Sequence, residues 1–123
     1  MYVMLGEDEK SKKVSKQTFK LYPSSLTAER IADIYVRLNG LENAIFWYEK
    51  SIELSKNPIE KSMAQTGLAV TFRKSGNSEK SLKLAQEATL TLNNCEQDEN
   101  IIFIKKLLHS HFPKLDLKKP QII

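Results

Sequence analysis

Apolar residues recur along the chain at helical spacing, and short turns separate the segments that carry them. One segment runs from Ser25 to Asn39, with the stripe Ile31, Ile34, Tyr35 and Leu38. The next runs from Leu41 to about Lys56, with the stripe Leu41, Ala44, Ile45, Tyr48 and Ile52. Both follow the i, i+3, i+4, i+7 rule of an amphipathic helix. Because Asn39-Gly40 tolerates the left-handed backbone in which helices end, we expect two antiparallel helices joined by a tight turn.

The second half of the chain continues this pattern of amphipathic helices separated by short turns. Asn57 and Pro58 predict the cap and first turn of a third helix, with Glu60 placed as a capping-box acid. Gly76-Asn77 ends this helix, and a fourth helix over Ser78 to Leu92 carries the face Leu82, Ala85, Thr89 and Leu92. A fifth helix is predicted from about Cys95 to His111, capped by Asn94, with Ile101, Ile104 and Leu108 on one side and Pro113 beyond its end.

The two helix pairs are copies of one unit. A shift of 37 residues sets Ala32 on Ala69, Tyr35 on Phe72 and Asn39 on Gly76. It also sets Ala44 on Ser81 and Ser51 on Ala88, so that small residues match small ones and turn matches turn. A fixed period of about 20–50 residues, each unit a helix pair, is typical of a solenoid.

These positions resemble the tetratricopeptide repeat family. In residues 26–58, Ala32, Ala44 and Ser51 match the family's small positions, and Tyr35 and Tyr48 match its aromatic positions. The second unit offers the matching set Ala69, Phe72, Gly76, Ser81 and Ala88, and KQTFKLYP, which ends at Pro23, is similar to the end of a further repeat.

The resemblance implies an all-α fold, in which antiparallel helix hairpins stack as a short right-handed solenoid of about five helices with a C-terminal capping helix. We expect a helix resembling the second half of a repeat over 1–24, repeats over 25–58 and 59–93, the capping helix over 94–112 and a basic tail over 113–123. Each repeat buries its apolar face only on its neighbours. A stack this short is therefore a possible homodimer.

Composition and charge narrow the function. The chain has 123 residues, of which 41% are hydrophobic and 28% charged, as in an ordinary globular domain. No apolar run approaches the roughly 20 residues of a membrane span. The start MYVMLGEDEK has a few apolar residues followed by an acidic run, whereas a secretory signal has a basic region before its apolar region. The one cysteine, Cys95, agrees with a reducing compartment, so we expect a cytoplasmic protein. Residues 1–24 and 105–123 each carry five lysines, which makes both ends basic.

Motifs for catalysis or metal binding are missing from the sequence. It has no phosphate-binding glycine loop, CxxC, HExxH or nucleophile elbow. Cys95, His109 and His111 are the only thiol and imidazole groups, and two histidines two positions apart on a helix point to different sides. We therefore predict no enzyme activity, no metal and no cofactor.

In tetratricopeptide proteins the first helix of each repeat lines the concave surface. The matching positions here are Glu29, Asp33, Val36, Arg37, Thr66, Val70, Arg73 and Lys74. They would form a groove with one acidic and one basic half, suited to a peptide of mixed charge. The family's clamp for C-terminal carboxylates needs lysine and asparagine, which Glu29, Asp33 and Thr66 do not supply. The run Ile45-Phe46-Trp47-Tyr48 is wider than one stripe, so Phe46 or Trp47 packs on a neighbouring repeat or is exposed for interaction.

The leading hypothesis is thus a protein–protein interaction module, an adaptor, chaperone or regulatory domain that binds a peptide or helix in its groove. One alternative is the signal-sensing domain of a bacterial-type transcriptional regulator. Another is nucleic-acid binding through the basic ends, which we consider unfavourable because no helix-turn-helix is visible and the middle of the chain is slightly acidic.

Overall fold

The computed structural model describes residues 2–115, and within that range it consists of six helices without a strand. The helices are α1 (Tyr2–Leu21), α2 (Ser25–Arg37), α3 (Leu41–Leu54), α4 (Pro58–Lys74), α5 (Ser78–Asn93) and α6 (Glu99–His111). The predicted all-α stack of about five helices with a C-terminal capping helix is confirmed. Most of the predicted basic tail lies outside the described residues.

Most helix ends follow the local signals in the sequence. Asn57 caps α4, because its side-chain oxygen accepts a hydrogen bond from the Glu60 amide at 2.9 Å. The Glu60 carboxylate in turn accepts from the amide of Lys56 at 2.9 Å. Asn39 and Gly76 both adopt positive φ, at 61° and 91°, so the residues that the 37-residue shift aligns share the left-handed turn conformation.

The start of α6 differs from the prediction. Asn94 ends α5 rather than capping α6, and the cap is Asp98, whose carboxylate accepts from the Ile101 amide at 3.0 Å. Between them, the Gln97 side chain donates to the carbonyl oxygens of Leu92 and Cys95, at 3.1 and 2.8 Å. These bonds hold the turn between α5 and α6, and the capping helix begins at Glu99 and not near residue 95.

The packing of the helices defines an inner and an outer side. Helices α2 and α3 pair, as do α4 and α5, and α3 and α6 each contact α4. The inner helices touch one another, α2 with α4 and α4 with α6, whereas α3 and α5 make no such contact within the described chain. A stack is curved when the first helix of each pair lies close to the first helix of the next pair and the second helices lie farther apart. Helices α2, α4 and α6 therefore line its concave side.

Small residues let the helices of each pair cross closely. Ala32, Ala44 and Ala69 are fully buried, as the repeat alignment predicts. Where serine takes a small position, its hydroxyl is bonded across the pair. Ser51 donates to the Ser25 carbonyl oxygen at 2.7 Å, and Ser81 donates to that of Ala69 at 2.6 Å. Because each buried hydroxyl has a hydrogen-bond partner, no polar group of these serines is left unsatisfied, and the bonds help to fix how the two helices cross.

Two hydrophobic clusters form the core, one between α2, α3 and α4 and one between α4, α5 and α6. Ile101, Ile104 and Leu108 are buried in the second, as their spacing predicts. Leu82 is an error of the prediction. It is 47% exposed, because its side of α5 faces an open surface cavity beside His111 at the end of α6 and the residues that follow.

Candidate functional site

A cavity of about 240 Å³ opens on the concave side, between α2 and α4 and next to the end of α6. Helix α2 contributes two carboxyl groups, and α4 and α6 contribute mainly apolar walls. The lining consists of Glu29, Asp33, Val36, Tyr48, Met63, Thr66, Gly67, Val70, Thr71, Leu107 and His111. The cavity is smaller than the roughly 300–1,000 Å³ of typical small-molecule sites, so its size is that of a side chain rather than a cofactor.

Five of the eight residues predicted for the groove line this cavity, namely Glu29, Asp33, Val36, Thr66 and Val70. Arg37, Arg73 and Lys74 are exposed and outside its lining. Arg37 lies close enough to Asp33 to favour its ionised form. Arg73 and Lys74, in the last turn of α4, lie near His111 instead. The structure thus brings together the acidic half of the predicted groove and sets the basic residues around its margin.

Tyr48 crosses from α3 to the concave side and was not among the predicted groove residues. Its hydroxyl donates a hydrogen bond to Oδ1 of Asp33. The ring reaches this position because it lies against the backbone of Gly67, where a Cβ atom would come within 2.7 Å of the Tyr48 Cζ atom. A glycine inside a helix costs about 1 kcal/mol relative to alanine, and here the close approach of the ring explains it. This isolated glycine was the signal in the sequence for the missed contact.

Burial changes the acid–base properties of the cavity. It raises the pKa of Glu29 to about 7, with the neighbouring Asp33 carboxylate as the second cause. Burial also raises the pKa of Asp33, although the bond from Tyr48 and the charge of Arg37 act in the opposite direction. The pKa of Tyr48 is raised by burial and by Asp33, so its hydroxyl keeps its proton and remains a donor. Near neutral pH, Glu29 is therefore about half ionised.

Arg73 fixes the end of α6 to α4. Its guanidinium donates to the main-chain oxygen of His111, lies 3.1 Å from the His111 Nδ1 atom and stacks over the Phe112 ring at 5.2 Å. Burial lowers the pKa of His111, and Arg73 and Lys74 lower it further, so the imidazole favours its neutral form. This contact holds His111 and Leu107 at the cavity wall, a contribution from α6 that the sequence pattern does not predict.

The aromatic run on α3 divides between packing and exposure. Trp47 packs edge-to-face on Phe19 of α1, with ring centroids 5.0 Å apart. Phe46 is 54% exposed and touches Trp47 with its edge, at 5.4 Å. Trp47 therefore follows the prediction of packing on a neighbouring element, whereas Phe46 has its ring open to solvent on the outer side.

Two of the lysines of α1 interact with the protein itself. Lys12 pairs with Glu9 at 2.8 Å, and the Nζ atoms of Lys12 and Lys16 lie 5.3 and 5.0 Å from the centroid of the Tyr35 ring. Cation–π contacts of this kind contribute about 0.5–1 kcal/mol at exposed sites. The basic residues beyond 115 lie outside the described part of the chain.

The Cys95 thiol and the His111 imidazole lie in separate places. Cys95 lines a surface depression beside Ile52 and Asn57, and its thiol donates to the Thr91 carbonyl oxygen, whereas His111 lines the concave cavity. Among the described residues, no three His, Cys, Asp or Glu side chains come together in a way that could hold a metal ion. None of the described helices has the length and apolar character to cross a bilayer.

Comparison with known proteins agrees with the repeat pattern. Residues 28–58, which cover most of α2, all of α3 and the turn after it, match the family model of the tetratricopeptide repeat. A search of curated proteins finds no match to this chain. The division of the other residues into a second repeat, a half-repeat and a cap stays a prediction. The six-helix stack and this match support a tetratricopeptide repeat over residues 28–58 and, in general terms, a protein–protein interaction module.

Proposed function

We propose that this protein is an adaptor or regulatory module that binds a peptide or helix of a protein partner along the concave side of α2, α4 and α6. The observation that carries the proposal is the cavity on that side, which five of the residues predicted from the family resemblance line together. Concave clefts with apolar walls and a few convergent polar groups are the usual places of ligand binding.

The character of the groove supports a partner of mixed charge. Glu29 and Asp33 make one part acidic, Val36 and Val70 give apolar contact area, and Arg73 stands with Lys74 at the opposite margin. Complementary charges set orientation and specificity, and apolar area supplies most of the affinity. The carboxylate clamp of chaperone-binding repeats is not part of this proposal, because acidic residues stand where that clamp needs basic ones.

The proposal is a binding function without catalysis, in the cytoplasm. The family match supports a scaffold, and in the described part of the chain Cys95 lies apart from His111, whereas a thiol nucleophile needs a base next to it. The homodimer and the nucleic-acid alternative stay predictions. Binding through lysines to phosphate would weaken steeply with added salt, whereas binding through the apolar part of the groove would weaken little.

A peptide selection tests the proposal. A random peptide library is panned on immobilised wild-type protein, on a Val70→Glu variant that places a charge in the groove, and on a Phe46→Glu variant that places the same charge on the outer side. We expect the wild type and Phe46→Glu to retain the same peptides and Val70→Glu to lose them. Circular dichroism confirms that each variant is folded. Equal retention by Val70→Glu would show that the groove is not the binding surface.

A further inference from the structure

We propose that the concave cavity binds one basic side chain of the partner, a lysine or an arginine, with Glu29 and Asp33 as its counter-charges. This inference rests on the proposed function and specifies the chemistry of the partner. It places the anchor of the peptide at the acidic part of the groove and leaves the remaining peptide residues to the apolar part.

The geometry of the two carboxyl groups supports a single cationic occupant. Glu29 and Asp33 are four residues apart on α2 and so lie on the same face of that helix. Both line a cavity of about 240 Å³, too small for most cofactors but sufficient for one long side chain. Val36 and Val70 give the walls apolar surface, which suits the methylene groups of lysine or arginine while the charged end reaches the carboxylates.

The charge of Glu29 has no close partner within the described residues. Its carboxyl group makes no hydrogen bond or ion pair there, and its charged neighbours are Asp33, of like sign, and Arg30, which is exposed. Like charges four residues apart on a helix are unfavourable, and a half-buried pair is more so. A cation between them would remove the repulsion and replace the lost hydration of both groups.

The other charged groups leave this place open to a cation. Arg37 acts on Asp33 from the last turn of α2, on the side away from Glu29 along the helix. Arg73 and Lys74, in the last turn of α4, lie near His111, whose imidazole favours the neutral form. The wall that faces Glu29 is therefore made of neutral groups.

The floor of the cavity is held in place before any partner binds. Tyr48 lies against Gly67 and donates to Oδ1 of Asp33, which orients this carboxylate. Tyr48 itself is 4% exposed, so little conformational freedom remains to be lost on binding. Preorganised polar groups bind more tightly because the cost of ordering them is already met in the free protein.

Peptide selection with charge-neutral variants tests the inference. The library is panned on wild type, on Glu29→Gln and on Glu29→Gln/Asp33→Asn, with Glu49→Gln on the exposed face of α3 as the control for net charge. We expect the wild type and Glu49→Gln to select a lysine or arginine at one fixed position. A synthetic peptide from this selection should bind at least about tenfold more weakly to the double variant, as expected for a lost charge-assisted contact. Glu29→Gln alone keeps the Tyr48 bond to Asp33, so its weaker binding cannot be assigned to a disturbed fold.

Replacing the selected arginine by citrulline, or the lysine by acetyl-lysine, removes the charge and keeps the shape. This change should weaken binding to the wild type and have little effect on the double variant. If the wild type retains peptides without a fixed basic position, or the double variant binds the basic peptide as well as the wild type does, the basic anchor is wrong and the groove function stands. If the wild type retains no peptide, both proposals are wrong.

Discussion

Replacing Gly67 by alanine tests whether the close contact between α4 and the Tyr48 ring builds the cavity. A Cβ atom at this position would lie 2.7 Å from Cζ and 3.0 Å from Cδ1 of Tyr48, well inside van der Waals contact. The ring must then shift, and its hydroxyl moves away from Asp33. We therefore expect Gly67→Ala to destabilise the protein, although alanine is the better helix former.

Three contributions set the size of the effect. Overpacking of a core costs about 1–3 kcal/mol, and loss of a hydrogen bond to a carboxylate costs about 1.5–3 kcal/mol. Alanine in place of glycine stabilises the helix by about 1 kcal/mol, which offsets part of this loss. The net loss in the free energy of unfolding is about 3 kcal/mol. For a chain of this size that corresponds to a decrease in Tm of roughly 10 °C.

Urea denaturation followed by circular dichroism measures this loss, and a second background isolates its cause. In a Tyr48→Leu protein the ring is gone, so Gly67→Ala should now stabilise by about 1 kcal/mol through helix propensity alone. The change of sign between the two backgrounds is the expected result. If alanine at position 67 leaves the urea midpoint unchanged or raises it while Tyr48 is present, the Tyr48 ring does not depend on the absence of a side chain at position 67.

Three further predictions concern two charged groups at the groove and one buried hydroxyl between α4 and α5. The pKa of Glu29 is about 7 in the folded protein against an ordinary 4.5, so the free energy of unfolding should fall as pH rises through this window. Glu29→Gln should show a smaller fall, measured by urea midpoints across the window, while the lowered pKa of His111 acts in the opposite direction in both proteins. Arg73→Ala should speed hydrogen exchange of the amides in α6 while those in α2 and α3 stay unchanged, because it removes the contacts to His111 and Phe112; equal rates in α6 would contradict the role of Arg73. Ser81→Ala should lower the free energy of unfolding by about 1 kcal/mol through the lost bond to a main-chain carbonyl of α4, and an unchanged Tm would refute it.

The sequence predicts the fold well where local signals and the repeat agree. Asn57-Pro58 and Gly76 carry their own backbone preferences, so the ends of α4 follow from the sequence alone. The start of α6 does not, because Asn94 and Asp98 are equally good caps. Gln97 decides between them through bonds to carbonyl groups at the end of α5 and in the following turn, and these are known only from the folded chain.

The cavity could be predicted only in part, for a similar reason. Glu29, Asp33 and Val70 follow from the resemblance, since they lie on the inner helices of repeated units. Tyr48 does not, because its aromatic position predicts burial between helices and gives no indication that its hydroxyl reaches the concave side. Its reach depends on the missing side chain at Gly67, a contact between residues 19 positions apart in the sequence. Pairwise contacts at this separation are set by tertiary packing and not by periodicity.

Since α1 contacts α2 and no other helix by main-chain proximity in the described chain, the stack behaves as a row of nearest neighbours. In such a row, opening is graded and can begin at a terminal helix that packs on one neighbour only. The outermost helix can therefore open while the interior of the row stays closed. The cavity lies between α2 and α4, and its Asp33 also borders Ser11 and Ser15 of α1, so transient unwinding of α1 would open the acidic wall of the cavity to solvent from its other side.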